Sequence, residues 1–237
     1  MSNPALSKTP ATKRNSVNVL ALHEWDVTPS RAEEIQEELR KKVSLRPSQQ
    51  EVRLVAGADV SYRKDAAVAA VVVCSYPEMR VVGEYRLAVS VSFPYIPGLF
   101  AFREGPALLA CFTQVAEDPD LIFFNGHGIA HPRGCGLASH LGILLDRPSV
   151  GVARTLLYGR YAEPPAFSGA STFVHNEDGD TVGHCLRLSG GDVLFVSPGH
   201  RIDLKGALSF TLSCLREADA LPAPLLYAHR LTRREGN

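Results

Sequence analysis

The spacing of apolar residues changes several times along the chain, and each change marks an element. Behind Thr28-Pro29, apolar residues recur at three- and four-residue intervals (Ala32, Ile35, Leu39, Val43), with Glu33, Glu34, Glu37, Glu38, Arg40, Lys41 and Lys42 between them. With Thr as N-cap and Pro in the first turn, this predicts a solvated amphipathic helix. Three β-rich runs follow at 52–61, 66–75 and 80–91, separated by Arg63-Lys64-Asp65 and Tyr76-Pro77-Glu78. Connections this short predict a three-stranded antiparallel meander. After a proline-rich loop at 94–97, Leu108, Leu109, Phe112 and Val115 predict a helix beginning near Glu104. Short apolar strands at 121–124 and 149–153 enclose a helix at 137–145, and this alternation implies parallel pairing. Runs at 181–188 and 193–196 predict one more hairpin, and helices near 203–216 and 224–234 follow.

Composition narrows what such a chain does. Its 237 residues are 45% hydrophobic and 21% charged. It can therefore bury a full core without disulfides or metal staples, as one domain expected over 21–237. Residues 1–20, with Lys8, Lys13 and Arg14 among Ser, Thr, Asn and Pro, lack the apolar stretch of a signal peptide and read as a disordered, solvated tail. Basic and acidic residues number 25 each, which excludes a protein that grips polyanions by bulk charge but leaves room for a local basic groove. The five cysteines (74, 111, 135, 185, 214) form no C-x-x-C pair, so a zinc knuckle or disulfide scaffold is not suggested and a reducing cytoplasm is expected. No apolar run reaches ~18 residues, so no membrane span is expected.

The chemistry-bearing residues begin with a misfit. The run Leu54-Val55-Ala56-Gly57-Ala58-Asp59-Val60 is apolar apart from one carboxylate, and a buried Asp59 needs either a salt-bridge partner or a cation. Glu104, at a predicted helix start, is either a second acidic ligand or a residue that offsets the helix dipole. Asn125-Gly126-His127-Gly128 ends an apolar strand, where open α/β sheets place ligands, although Asn-Gly is also a favoured turn pair. Phe93-Pro94-Tyr95-Ile96-Pro97-Gly98 is a loop stiffened by two prolines, suited either to a plain turn or to a wedge between stacked bases. His127 and His131 are four apart, but Gly128 and Pro132 spoil a helix and no third ligand is near, so a zinc site is not supported. Ser139 and Ser171 lack a nucleophile elbow.

Taken together, Val55-Ala56-Gly57-Ala58-Asp59, Phe93 to Gly98, Phe102-Arg103-Glu104-Gly105-Pro106, Gly126 to Arg133 and Phe195-Val196-Ser197-Pro198-Gly199-His200 resemble the endonuclease V family from about Trp25 to Arg234. The resemblance implies a ribonuclease H-like α/β fold, in which a mixed central sheet (the antiparallel meander plus parallel strands) is flanked by helices. It also implies a Mg²⁺-dependent DNA repair endonuclease, with Mn²⁺ able to substitute, that recognises deoxyinosine and in some members inosine in RNA. Such enzymes cut the second phosphodiester bond 3′ to the lesion.

Carried over by motif, Asp59, Glu104, Asn125 and His131 are the expected catalytic residues, and Asp59, Glu104, Asn125 and His229 the expected metal site. Pro94, Tyr95, Ile96, Pro97, Gly98, Gly126, Gly128 and Arg154 are expected to bind substrate, with Tyr95 as the wedge and the glycines lining a pocket for the extruded base. The self-sufficient motif set suggests a monomer. Arg133, Arg154, Arg160, Arg230, Arg233 and Arg234 are available for a modest phosphate groove whose binding is salt-sensitive.

Two positions depart from the family pattern: Asn125 stands where the family has Asp, and Arg154 where it has Lys. An amide oxygen still coordinates a hard cation but brings no charge, so metal affinity falls and cleavage is attenuated. Arg154 keeps its charge without a proton-transfer role. An impaired protein that binds inosine strands without cutting them is the alternative reading. A structural interaction module is disfavoured by the wedge and pocket motifs.

Overall fold

The computed structural model describes residues 17–63, 66–216 and 219–234. Among these, nine strands form one mixed sheet in the order β3-β2-β1-β4-β5-β9-β8-β7-β6. The strands are β1 (Leu54–Arg63), β2 (Ala66–Ser75), β3 (Val81–Ser90), β4 (Leu121–Asn125), β5 (Ser149–Ala153), β6 (Arg160–Tyr161), β7 (Ser171–His175), β8 (Thr181–Arg187) and β9 (Val193–His200). The helices are α1 (Pro29–Arg40), α2 (Phe100–Phe112), α3 (Leu137–Leu145), α4 (Leu204–Cys214) and α5 (Ala223–Arg233). None is long and apolar enough to cross a membrane.

The antiparallel meander β1–β2–β3 forms as the sequence predicts, and β1 pairs with β4, and β4 with β5, in parallel. Both sheet faces are covered, which is why β2 and β4 are apolar at successive positions instead of alternating. On one face Ala69, Val71, Ile122 and Phe124 pack beneath α2 and α3. On the other, Val72, Leu121, Phe123 and Val152 pack beneath α4 and α5. α1 lies at the side, closing a smaller cluster around Phe93, Leu99, Phe102 and Ile143.

Thr28 caps α1 through its side chain, as expected, but the helix ends at Arg40, short of Val43. α2 begins at Phe100, four residues ahead of the predicted start, because Ala101 and Phe102 already belong to its buried face. Glu104 is therefore a mid-helix residue, and an offset of the helix dipole does not explain it. β6 and β7 were not anticipated. Of the expected tail, residues 1–16 lie outside the described residues. Of the remainder, Val17 is buried and Asn18 and Leu20 are exposed, and the Leu20 N–H donates to the Leu144 carbonyl (2.7 Å).

Candidate active site

The site lies where β4 ends, beside the middle of β1. In the parallel register Ala58 sits opposite Phe124, so Asp59 and Asn125 are neighbours on the sheet face that α5 covers. Gly57 sets the height of that helix. A Cβ there would lie 2.2 Å from the Pro224 carbonyl carbon, so only glycine lets α5 rest directly on β1. Five residues beyond Pro224, His229 comes down over Asp59.

Asp59 is 3% exposed, and both its oxygens are held. Asn125 Nδ2 donates to Oδ1 (2.7 Å), and His229 Nδ1 donates to Oδ2 (2.8 Å). Glu104, also 3% exposed, approaches from α2 and accepts from the Tyr62 hydroxyl at Oε1 (3.1 Å). Burial, reinforced by the charge of Asp59, pushes the Glu104 carboxyl well above the usual carboxylate range. Burial also raises the Tyr62 phenol, which keeps it a donor. The Arg103 guanidinium stacks over the Tyr62 ring (4.5 Å) and donates to the Phe93 carbonyl (2.6 Å), so it forms no ion pair with Glu104.

A cavity of about 360 Å³ opens beside the carboxylates. It brings together Asp59, Glu104, Asn125, His131, Tyr95, Ile96, Pro97, Gly98, Gly126 and Arg154, all singled out from the sequence. Tyr95 is 68% exposed at its mouth, and Arg154 is exposed at its rim. His229 touches the site through Asp59, so the nitrogen it directs at the site orients a carboxylate.

Two expected pocket residues do not line the cavity. Pro94 points to solvent at the base of the loop. Gly128 is turned away, because its N–H donates to Ser197 Oγ (2.8 Å) and a Cβ would fall 2.0 Å from the Pro198 carbonyl oxygen. Gly128 is thus required for packing between the loop after β4 and strand β9.

His131 is placed at the cavity, but both its nitrogens are taken. Nε2 bonds the Gly98 carbonyl (2.8 Å), and Nδ1 accepts from the Arg133 N–H (3.1 Å). This pattern needs a neutral ring, and burial lowers its pKa to about 4. Burial also lowers His127 to about 4. Sequence reasoning missed Gln36, Leu137 and Tyr62. Gln36 carried a signal, a polar residue beside Ile35 on the apolar side of α1, that the surrounding charged residues concealed.

A cation would relieve the burial of two neighbouring carboxyl groups, Asp59 and Glu104. Among the described residues no three His, Cys, Asp or Glu side chains converge as a metal cage. What the site offers instead is two buried carboxylates and the amide oxygen of Asn125, a hard-oxygen donor set.

The sequence profile of the endonuclease V family matches residues 37–230. The chain is 43% identical over 213 residues to endonuclease V of Methanothrix thermoacetophila, which covers 90% of this chain and 94% of that protein. The crystal structure of endonuclease V from Streptomyces avermitilis superposes with a TM-score of 0.82 at 39% identity, covering 92% of this chain and 96% of that one. Ciona intestinalis endonuclease V, solved with a 23mer DNA containing an inosine followed by a ribo-adenosine, gives a TM-score of 0.74 at 28% identity, with 87% and 97% covered.

Proposed function

The chain belongs to the endonuclease V family, and from that premise we propose that it hydrolyses the second phosphodiester bond 3′ to an inosine at Asp59, Glu104 and Asn125. It is a deoxyinosine-specific DNA repair endonuclease with the family's ribonuclease H-like fold, and its cleavage is metal-dependent. The observation that carries the assignment of the site is Glu104. It is a carboxyl group 3% exposed, with no ion pair among the described residues, set beside a second buried carboxylate at a cavity large enough to admit a purine. A protein that only bound inosine strands would gain nothing from burying a carboxyl group without a cationic partner, so cleavage is the favoured reading.

Asp59, Glu104 and the Asn125 amide oxygen would hold Mg²⁺, with Mn²⁺ as a substitute. Such an ion supplies Lewis-acid polarisation of the phosphate and a more acidic water. The chain's own residues do the rest. Asn125 and His229 hold both Asp59 oxygens in one orientation, and Tyr62 fixes Glu104. Tyr95, on a loop stiffened by two prolines, enters the duplex and marks the place the base has left. An inosine pair is weak, so extrusion costs less than for a normal base. The extruded base enters the cavity between Ile96, Pro97, Gly98 and Gly126. Arg154 at the rim meets backbone phosphate. His131 holds the Gly98 carbonyl.

We extend the reading to inosine in RNA, because hypoxanthine is the same base in either strand. Action as a monomer is supported by the origin of every site residue in one chain. Five buried, unpaired cysteines fit a reducing cytoplasm.

The test is cleavage of DNA and RNA strands carrying a single inosine or adenosine, in Mg²⁺, Mn²⁺ or EDTA. Metal-dependent cutting of inosine strands is expected, with discrimination reduced in Tyr95→Ala. Tight binding with no cutting in either metal would overturn the proposal.

A further inference from the structure

Gln36 is completely buried in the middle of α1, on the same side as Ala32, Ile35 and Leu39. A leucine or methionine would fill that place with no polar atoms to satisfy, so the amide calls for an explanation. All of its hydrogen-bonding groups are committed. Nε2 donates to the carbonyls of Gly98 (3.0 Å) and Cys135 (3.2 Å), and Oε1 accepts from Arg133 Nε (2.7 Å). One side chain thus ties three segments: α1, the end of the Tyr95 loop, and the 131–135 stretch that follows β4.

The Gly98 carbonyl is the point where these ties meet. Besides Gln36 it accepts from His131 Nε2 (2.8 Å) and Arg133 Nη2 (3.0 Å). Three donors exceed the two lone-pair directions of a carbonyl, so none is left for a ligand. Gly98 also has φ +80°, a backbone conformation that favours glycine, and a Cβ there would lie 2.9 Å from Arg133 Nη2. Two of the donors come from one short loop and would move with it. Gln36 alone comes from a separate helix, and it references the loop to the rest of the molecule.

We propose that Gln36 is a positioning residue that sets base selectivity, holding Gly98 in place so that the backbone groups of the cavity wall other than this committed carbonyl meet the extruded base in one fixed arrangement. The inference rests on the functional reading above. Hypoxanthine and adenine carry opposite patterns at positions 1 and 6: a donor and a keto acceptor in the first, an acceptor and an amino donor in the second. A wall fixed in place rejects the wrong pattern strongly, and one that can shift accommodates both.

The experiment compares wild type with Gln36→Met and Gln36→Glu in steady-state cleavage of inosine and adenosine strands, with thermal unfolding of each protein. Gln36→Met removes both donations. Gln36→Glu keeps the bond from Arg133 and sets a carboxylate against two carbonyls. Both variants should raise KM for inosine strands about tenfold or more and lower the inosine-to-adenosine ratio of kcat/KM by a similar factor, with a smaller change in kcat. Loss of folded protein alone would lower both substrates equally and leave the ratio intact, and that result overturns the inference. If Gln36→Met does not fold, Gln36→Glu and strand binding measured by fluorescence anisotropy at low temperature decide the matter by the same ratio. A wild type without inosine preference would refute the functional reading itself. A selective wild type with equally selective variants refutes only the role of Gln36.

Discussion

Replacing Asn125 by Asp probes the centre of the site most directly. The wild-type amide donates to Asp59 Oδ1 across 2.7 Å. In Asn125→Asp that donor becomes a carboxylate oxygen. The lost bond to a charged group accounts for about 1.5–3 kcal/mol. Full repulsion between the two charges at that 2.7 Å spacing would add roughly 6 kcal/mol at an effective dielectric constant of 20, but rotation or protonation of one carboxyl relieves most of it. We expect a net cost of about 2–3 kcal/mol in EDTA, or roughly 4–12 °C in Tm for a chain of this size. With divalent metal the sign changes, because a third carboxylate strengthens the oxygen donor set. Each tenfold gain in affinity adds about 1.4 kcal/mol at saturating metal. The assay is thermal unfolding followed by fluorescence of Trp25, the single tryptophan, in EDTA and across a Mg²⁺ series, alongside cleavage at limiting Mg²⁺. The variant should start below wild type, gain more from metal and cut faster when metal is scarce. Equal Tm in EDTA together with an equal response to Mg²⁺ would show that Asn125 does not share a metal site with Asp59.

Glu104→Gln should raise Tm in EDTA at pH 8 by about 2–4 °C, since it removes a buried charge and keeps the Tyr62 bond, while cleavage in Mg²⁺ is lost; a fall in Tm would refute the absence of a cationic partner. Gly57→Ala forces a Cβ to within 2.2 Å of the α5 backbone and should cost about 3 kcal/mol, lowering Tm by roughly 6–12 °C and reducing cleavage because His229 is lifted from Asp59. Buried His140, whose Nε2 lies 2.7 Å from His23 Nε2, is held well below 6.5 by burial and then by His23. Its neutral form therefore contributes stability that is fully present above about pH 6.5 and is lost as pH falls toward the folded-state pKa. Tm measured from pH 7 to 5 should fall less steeply in His140→Gln, by up to about 1.4 kcal/mol per pH unit of unfolding free energy.

Much of the fold was legible because its segments are strongly punctuated. The helix at 137–145 and the strand at 149–153 came out with the predicted bounds, being apolar runs closed by Gly136, by Asp146-Arg147-Pro148 and by Arg154. β7 was hidden because it lies near the sheet edge with only Val174 buried, so no apolar alternation betrays it. In the site, Asp59 stood out as the one charge in the apolar run 54–60. Gln36 did not, because burial of a polar side chain on a helix otherwise studded with charges is decided by tertiary contacts that local pattern does not encode. Gly128 shows a further limit. The sequence marks a position that excludes a side chain, but whether the excluding neighbour is a ligand or the Pro198 carbonyl is settled only by how the chain folds back.

The docking of α5 on Gly57 also bears on the order of events during synthesis. Asp59 is among the early residues to leave the ribosome, and its partner His229 follows 170 residues later. Contacts that distant in sequence form late, after the intervening loop has closed. Until α5 emerges, the growing polypeptide therefore holds Asp59, Glu104 and Asn125 without the histidine that orients Asp59. The bond that orients Asp59 and the covering of this sheet face therefore form together.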